Sequence, residues 1–213
     1  MKKRGVLLDR DGTLIDFVRD PELGSVASAF HPDHLRLLPG VLDGLRLLSE
    51  AGFVLAIATN QPGAAKGQIP REAIRRTNDA LVAHLRSSGI QIAEVATCLH
   101  HPEGGPGGDP TLVGPCPCRK PRPGLLLSLL GSLDLDAAAS FMVGDSLSDI
   151  EAGRAAGLRT ALLFEQGRCE FCPMRATPAE PPLPCPDVVA PRFDALARAI
   201  RDGDARGSHP RPF

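Results

Sequence analysis

The chain has 213 residues, a formal net charge of −1, 8 Phe and neither Trp nor Tyr. Such a balance supplies no basic field for nucleic acid or an acidic membrane surface, and the scarcity of aromatics argues against base-stacking platforms. No apolar run approaches membrane-spanning length and the one after Met1-Lys2-Lys3-Arg4 is too short for a secretory signal, so a soluble cytoplasmic protein is expected.

The first apolar run, residues 5–8, reads as a short buried strand and leads directly into Asp9-Arg10-Asp11-Gly12-Thr13. Residues 16–38 form a long polar connection. A helix follows over 42–50, with Leu42, Leu45 and Leu48 on one face, and then a strand over 53–58 that runs into Thr59-Asn60-Gln61-Pro62-Gly63. Pro70 opens a helix over 71–87. The strand over 92–97 enters a Gly/Pro/Cys loop at 98–123 that closes in Arg119-Lys120-Pro121. A helix over 124–130 precedes a strand over 140–143, which ends in Gly144-Asp145 and is followed by a helix over 148–156. The strand over 160–164 gives way to a Pro-rich segment at 165–191, a helix over 193–201, and a tail at 202–213 for which disorder is expected. Gly52, Gly89 and Gly157 stand where helices stop and suit left-handed caps. The alternation predicts an α/β, Rossmann-like three-layer sandwich around a parallel sheet, one domain over residues 1–201.

In open sheets of this kind ligands bind at the C-terminal strand ends. Asp9 and Asp11 place two carboxylates at one such end, where unpaired negative charge is costly. A polar turn ending in Asp11-Gly12 is one reading; a divalent cation with a phosphate-bearing substrate is the other. Three more polar groups flank the sheet: Thr59, Asn60 and Gln61; Arg119 and Lys120; and Asp145, with Asp149 four residues on. Singly they read as a helix cap, a solvated charge and a turn residue. Jointly they offer carboxylates for a hard cation, a hydroxyl and amides for phosphate oxygens, and cations to neutralise charge.

Cys98, His100, Cys116 and Cys118 form two short ligand pairs around a Gly-rich run, the donor set of a closed, structural Zn²⁺ site. The Cys-x-His spacing favours His100 over the adjacent His101. Cys169, Cys172 and Cys185, with His209 as a candidate fourth ligand, read as incidental thiols in preference to a second metal site.

Taken in order from residue 5 to about residue 165, Asp9-Arg10-Asp11-Gly12-Thr13, Thr59-Asn60, Lys120-Pro121 and Gly144-Asp145 resemble the four motifs of the haloacid dehalogenase (HAD) phosphatase superfamily. The resemblance implies that Asp9 is the nucleophile, forming an aspartyl-phosphate, and that Asp11 moves the proton. It implies Mg²⁺ held by the carboxylates of Asp9 and Asp145 and the backbone carbonyl of Asp11. Thr59 and Lys120 would serve the transferring phosphoryl group, with Asp149 in support.

The cysteine loop is similar to that of the capless branch containing heptose bisphosphate phosphatases and histidinol phosphatases. That implies no large cap domain, substrate contacts from Arg10, Asn60 and Gln61, and Arg119 on a distal phosphate. The implied reaction removes the 7-phosphate of D-glycero-D-manno-heptose 1,7-bisphosphate, with histidinol phosphate or another small phosphomonoester as the alternative. A catalytically silent zinc-stabilised binding module is the reading from another class, and the presence of Asp9, Asp11, Lys120 and Asp145 argues against it. The expected partner is a small phosphorylated sugar, with no nucleic acid or membrane, and the chain a monomer or weak dimer. Ser146 stands where the heptose enzymes often carry Lys, and residues 16–38 lack their aromatic-containing pattern.

Overall fold

The computed structural model describes residues 2–20, 22, 24–165 and 185–205. In chain order they form β1 (Gly5–Leu8), β2 (Val18–Asp20), β3 (Ser25–Ala27), α1 (Val41–Glu50), β4 (Val54–Asn60), α2 (Arg71–Ser87), β5 (Glu94–Cys98), α3 (Gly124–Ser132), β6 (Phe141–Gly144), α4 (Leu147–Ala155), β7 (Arg159–Leu163), β8 (Val188–Ala190) and α5 (Phe193–Ala205).

Six strands make one parallel sheet in the order β5-β4-β1-β6-β7-β8. Every residue of β1 and β6 is buried, as expected of strands covered on both faces. Alternation along β1 sends Val6 and Leu8 into a core with Leu45 and Leu48 of α1, Leu81 and Leu85 of α2, and Phe193 and Ile200 of α5. Leu7 points the other way, towards Leu126 and Leu129 of α3 and Ala152 of α4. These are the three layers that the alternation predicts. From β1 the chain first builds outward through β4 to β5 and then returns to the other flank of β1 at β6. That reversal opens a crevice above the C-terminal end of β1, where Asp9 stands.

The left-handed glycines fall where expected, with φ of 85° at Gly52, 80° at Gly89 and 76° at Gly157. Three features differ from the sequence expectation. Residues 16–38 are more than a connection: β2 and β3 pair antiparallel, Val18 opposite Ala27, and a 3-10 turn follows at Pro32–His34. Each strand has three residues and β3 is wholly exposed, so there is no hydrophobic alternation to read. The Pro-rich segment ends in a sixth strand, β8, whose Val188 to Ala190 pair with Ala161 to Leu163 of β7. Helix α5 passes the tail boundary expected at 202 and continues to Ala205; Gly203 sits in its last turn, where a glycine costs least.

Cys169, Cys172 and His209 lie outside the described residues, as does the rest of the expected tail from residue 206; Cys185 is exposed. Between β1 and α1 the structure adds only the hairpin and the 3-10 turn, so among the described residues there is no large cap domain. Among them, too, no helix is long and apolar enough to cross a membrane.

Candidate active site

Parallel pairing sets the site. The backbone of Asp9 donates to Val143 O at 2.8 Å, bringing the end of β1 level with Gly144-Asp145. Gly12, at φ 80°, turns the chain beneath Asp145, and a Cβ there would strike the Asp145 carboxylate and the Phe17 ring. Asp9, Asp11, Thr59, Asn60, Lys120 and Asp145 line one pocket at this end of the sheet. Phe17, Ser28, Ser146, Ser148 and Asp149 complete its wall.

Lys120 is the hub. Its Nζ lies 2.8 Å from Asp9 Oδ1 and 2.6 Å from Asp149 Oδ1, and donates to Ala58 O at 2.7 Å. Burial pulls this ammonium down, but Asp149 and Asp9 outweigh it and hold its pKa above the ordinary lysine value. Asp9 is pushed from 3.8 up to about 6, first by burial, with Lys120 pulling back and Asp149 and Asp11 adding to the rise. Asp145 is raised well above 3.8, by burial and then by repulsion from Asp9 and Asp149. One ammonium therefore faces three carboxylates. Asp9, Asp145 and Asp149 bring oxygens within 4.8 Å of one another, a set of hard ligands with excess negative charge.

Asp149 holds its place through a capping box at the start of α4, where its Oδ2 accepts from Ser146 N at 3.2 Å and Ser146 Oγ at 2.6 Å. Asn60 uses both ends of its amide on the Lys120 backbone, donating from Nδ2 to Lys120 O at 3.0 Å and accepting from Lys120 N at 3.1 Å.

Three residues expected at the substrate do not line this pocket. Arg10 is wholly buried: its side chain passes beneath the loop to Asp11 and to Asn78 of α2, because a guanidinium taken out of water requires acceptors there. Gln61, 2% exposed, donates inward to Asp11 Oδ2 at 2.6 Å and Thr59 Oγ1 at 2.9 Å. Arg119 does not line the pocket; it borders an adjoining groove with Cys116 and Arg122 and donates to His100 O at 3.3 Å.

The cysteine loop closes on itself behind Lys120. Cys98 Sγ lies 3.7 Å from Cys116 Sγ and 3.0 Å from Cys118 Sγ, while His100 Nδ1 is 3.8 Å from Cys98 and 3.5 Å from Cys118. Ligands at zinc–sulfur and zinc–nitrogen bond lengths on a tetrahedron stand about 3.5–3.8 Å apart. Three of these four distances match, while Cys118 Sγ sits closer to Cys98 and, at 3.4 Å, to Cys116, so the donor set suits one tetrahedral ion once Cys118 moves outward by a few tenths of an ångström. Burial, followed by the Cys118 hydrogen bond, pushes the Cys98 thiol up, a strain that a bound cation would reverse. His101 stays out of the cluster, its Nδ1 accepting from Gly104 N at 3.0 Å.

A family model described as HAD-hydrolase-like matches residues 117–193. The chain is 35% identical over 163 residues to the D-glycero-beta-D-manno-heptose-1,7-bisphosphate 7-phosphatase of Yersinia pestis, an alignment covering 76% of this chain and 81% of that one. The chain belongs to the HAD-like phosphatase family. The Escherichia coli K12 enzyme of the same name is 34% identical to this phosphatase, over 76% of this chain and 80% of its own. The crystal structure of D,D-heptose 1,7-bisphosphate phosphatase from B. bronchiseptica, complexed with magnesium and phosphate, aligns with a TM-score of 0.71 and 28% identity, covering 93% of this chain and 98% of that one.

In this HAD-like phosphatase, sequence reasoning missed Phe17, Ser28 and Ser148 as pocket walls. Phe17 and Ser28 are the feet of the β2–β3 hairpin, which carries no periodic signal. Ser148 was within reach: Ser146-Leu147-Ser148-Asp149 has capping-box spacing directly after a strand-end acid, which fixes the helix start at the site.

Proposed function

We propose that this phosphatase acts through an aspartyl-phosphate on Asp9 and that its substrate is D-glycero-β-D-manno-heptose 1,7-bisphosphate, which loses its 7-phosphate. One observation carries the chemistry: Asp9 stands between the Lys120 ammonium, 2.8 Å away, and the Asp145 carboxylate, whose oxygens share a cluster with its own. A nucleophilic carboxylate needs an ammonium to keep it ionised and to meet the charge of the incoming phosphoryl group. The names and sequences of the relatives support the substrate.

Asp9 attacks phosphorus and the ester P–O bond breaks, with Asp11 giving a proton to the departing sugar oxygen. Asp11 then takes a proton from the water that attacks phosphorus, and inorganic phosphate leaves as the Asp9 carboxylate is restored. Lys120 and the Thr59 hydroxyl hold phosphoryl oxygens, and Arg119, in the adjoining groove that shares Lys120, is assigned to the distal phosphate. The carboxylates of Asp9 and Asp145 and the backbone carbonyl of Asp11 would hold Mg²⁺, which when bound neutralises charge on the phosphoryl oxygens. Cys98, His100, Cys116 and Cys118 would hold Zn²⁺, closing the loop that carries Lys120.

The test is a ranking of kcat/KM over the two heptose bisphosphate anomers, histidinol phosphate and simple phosphomonoesters. The β-heptose bisphosphate should lead by about tenfold or more, and a lead for histidinol phosphate overturns the substrate. Asp9→Asn should abolish phosphate release with the fold retained; turnover near the parent rate removes the nucleophile.

A further inference from the structure

The carboxylate of Asp11 lines the pocket and is held in place by three residues. Its Oδ1 accepts from Arg10 Nη2 at 3.2 Å and from Ala29 N at 3.2 Å. Its Oδ2 accepts from Arg10 Nε at 3.1 Å and from Gln61 Nε2 at 2.6 Å. Arg10 also donates through Nη2 to Ala29 O at 2.8 Å, so the Ala29 residue, at the foot of the hairpin, is clasped between Arg10 and Asp11.

Arg10 is itself anchored at its far edge. Nη1 donates to Asn78 Oδ1 at 2.7 Å, and Asn78 Nδ2 donates to Thr97 Oγ1 at 3.1 Å. A guanidinium only donates, so Asn78 must present its oxygen to Arg10, which turns its NH₂ group towards the Thr97 hydroxyl. The result is one chain of hydrogen bonds, Thr97–Asn78–Arg10–Asp11, from strand β5 through helix α2 to the pocket. Neither Asn78 nor Thr97 lines the catalytic pocket; both face a separate groove between α2 and β5. Asn78 is nonetheless 8% exposed and Arg10 wholly buried, so losing the Asn78 oxygen leaves a buried donor of Arg10 unpaired.

We propose that Asn78, acting through Arg10, is a positioning residue for Asp11: it fixes the guanidinium whose fork orients the carboxylate that moves the proton. The proposal rests on the acid–base role given to Asp11 above. A proton donor matters in proportion to how poor the leaving group is. Release of a sugar alkoxide requires the proton, whereas release of p-nitrophenolate does not, and kcat/KM reports the step in which that bond breaks.

Asn78→Leu and Thr97→Val should therefore be compared with the parent on heptose bisphosphate and on p-nitrophenyl phosphate. For Asn78→Leu, kcat/KM on the sugar phosphate should fall by about 10–100-fold, part of the ~10²–10⁴ typical of a full acid–base group, and by less than about threefold on p-nitrophenyl phosphate. Thr97→Val, nearly isosteric, should show the same split at smaller size and carries the test should Asn78→Leu fail to fold. Equal losses on both substrates, or no loss on the sugar phosphate, overturn the proposal, since a merely structural residue cannot sense the leaving group. Asp11→Asn separates the two layers. A steep split there with none at Asn78 or Thr97 removes the positioning role alone; equal loss on both substrates at Asp11→Asn removes the acid–base reading beneath it.

Discussion

Asn60 grips Lys120 by its peptide groups and leaves the ammonium to the carboxylates. The two residues, 60 positions apart, exchange hydrogen bonds of 3.0 and 3.1 Å in the way that neighbouring strands do. The end of β4 thereby fixes where the cysteine loop delivers Lys120 Nζ, 2.8 Å from Asp9. Asn60→Ala should loosen that delivery and lower kcat by about 10–100-fold while leaving the global fold in place, because misplacement by an ångström is costly in a preorganised site. Steady-state kinetics with a circular dichroism melt checks it; an unchanged kcat would show that Lys120 needs no such clasp.

Asp145 should limit the stability of the metal-free protein. Its folded-state pKa lies above the ordinary 3.8, so the native state holds that proton more tightly than the unfolded chain. Stability is then lost as pH rises from about 4 through the raised value, and none is regained above it. Asp145→Asn should raise the melting temperature of the metal-free protein at pH 7.5 by about 2–4 °C, on the order of 1 kcal/mol at this chain length, with the gain vanishing in acid. Scans in chelator across pH test this, and a gain that persisted at low pH would point to a cause other than charge.

The cysteine cluster should be a folding element as well as a loop clamp. The purified protein should carry about one zinc ion per chain, and its removal should cost on the order of 2 kcal/mol, roughly 4–8 °C in Tm. Cys98→Ser should do the same. Activity lost to a strong chelator should return with zinc and magnesium together and only in part with magnesium alone, since Lys120 follows Cys118 by two residues. Full recovery with magnesium alone would separate the cluster from the site.

Gly12→Ala tests the approach of the first loop to Asp145. Alanine would meet both an unfavourable positive φ and the Asp145 carboxylate. Turnover should fall about 100-fold or more and stability by roughly 1–3 kcal/mol. A variant with parent activity would mean that Asp145 can shift without consequence.

Much of this was legible in the chain. Strand β1 and helix α2 fall on the residues that periodicity assigns, because their signals are local: a buried apolar run, a proline at the helix start and a glycine after its end. The hairpin and β8 were not, since three-residue strands are strands only by virtue of a partner. Arg10 misled for a related reason. Flanked by Asp9 and Asp11, it reads as a residue of the site, and only the packing of α2 against the loop turns it inward to Asn78.

The acidic pair, the hydroxyl and amides after β4, the Lys120 motif and the two cysteine pairs are written in order along the chain, because each is a short run tied to the end of one element. Sequence alone put Asp9, Asp11, Thr59, Asn60, Lys120 and Asp145 at one end of a parallel sheet, without Phe17, Ser28 or Ser148 and with Arg10, Gln61 and Arg119 counted among them. The tertiary structure decided how they are arranged. It set Lys120 between Asp9 and Asp149, drew Gln61 and Arg10 behind Asp11, and left Arg119 in the adjoining groove. Those assignments depend on distances between side chains as far apart as 111 positions in sequence, and no local pattern encodes such a distance.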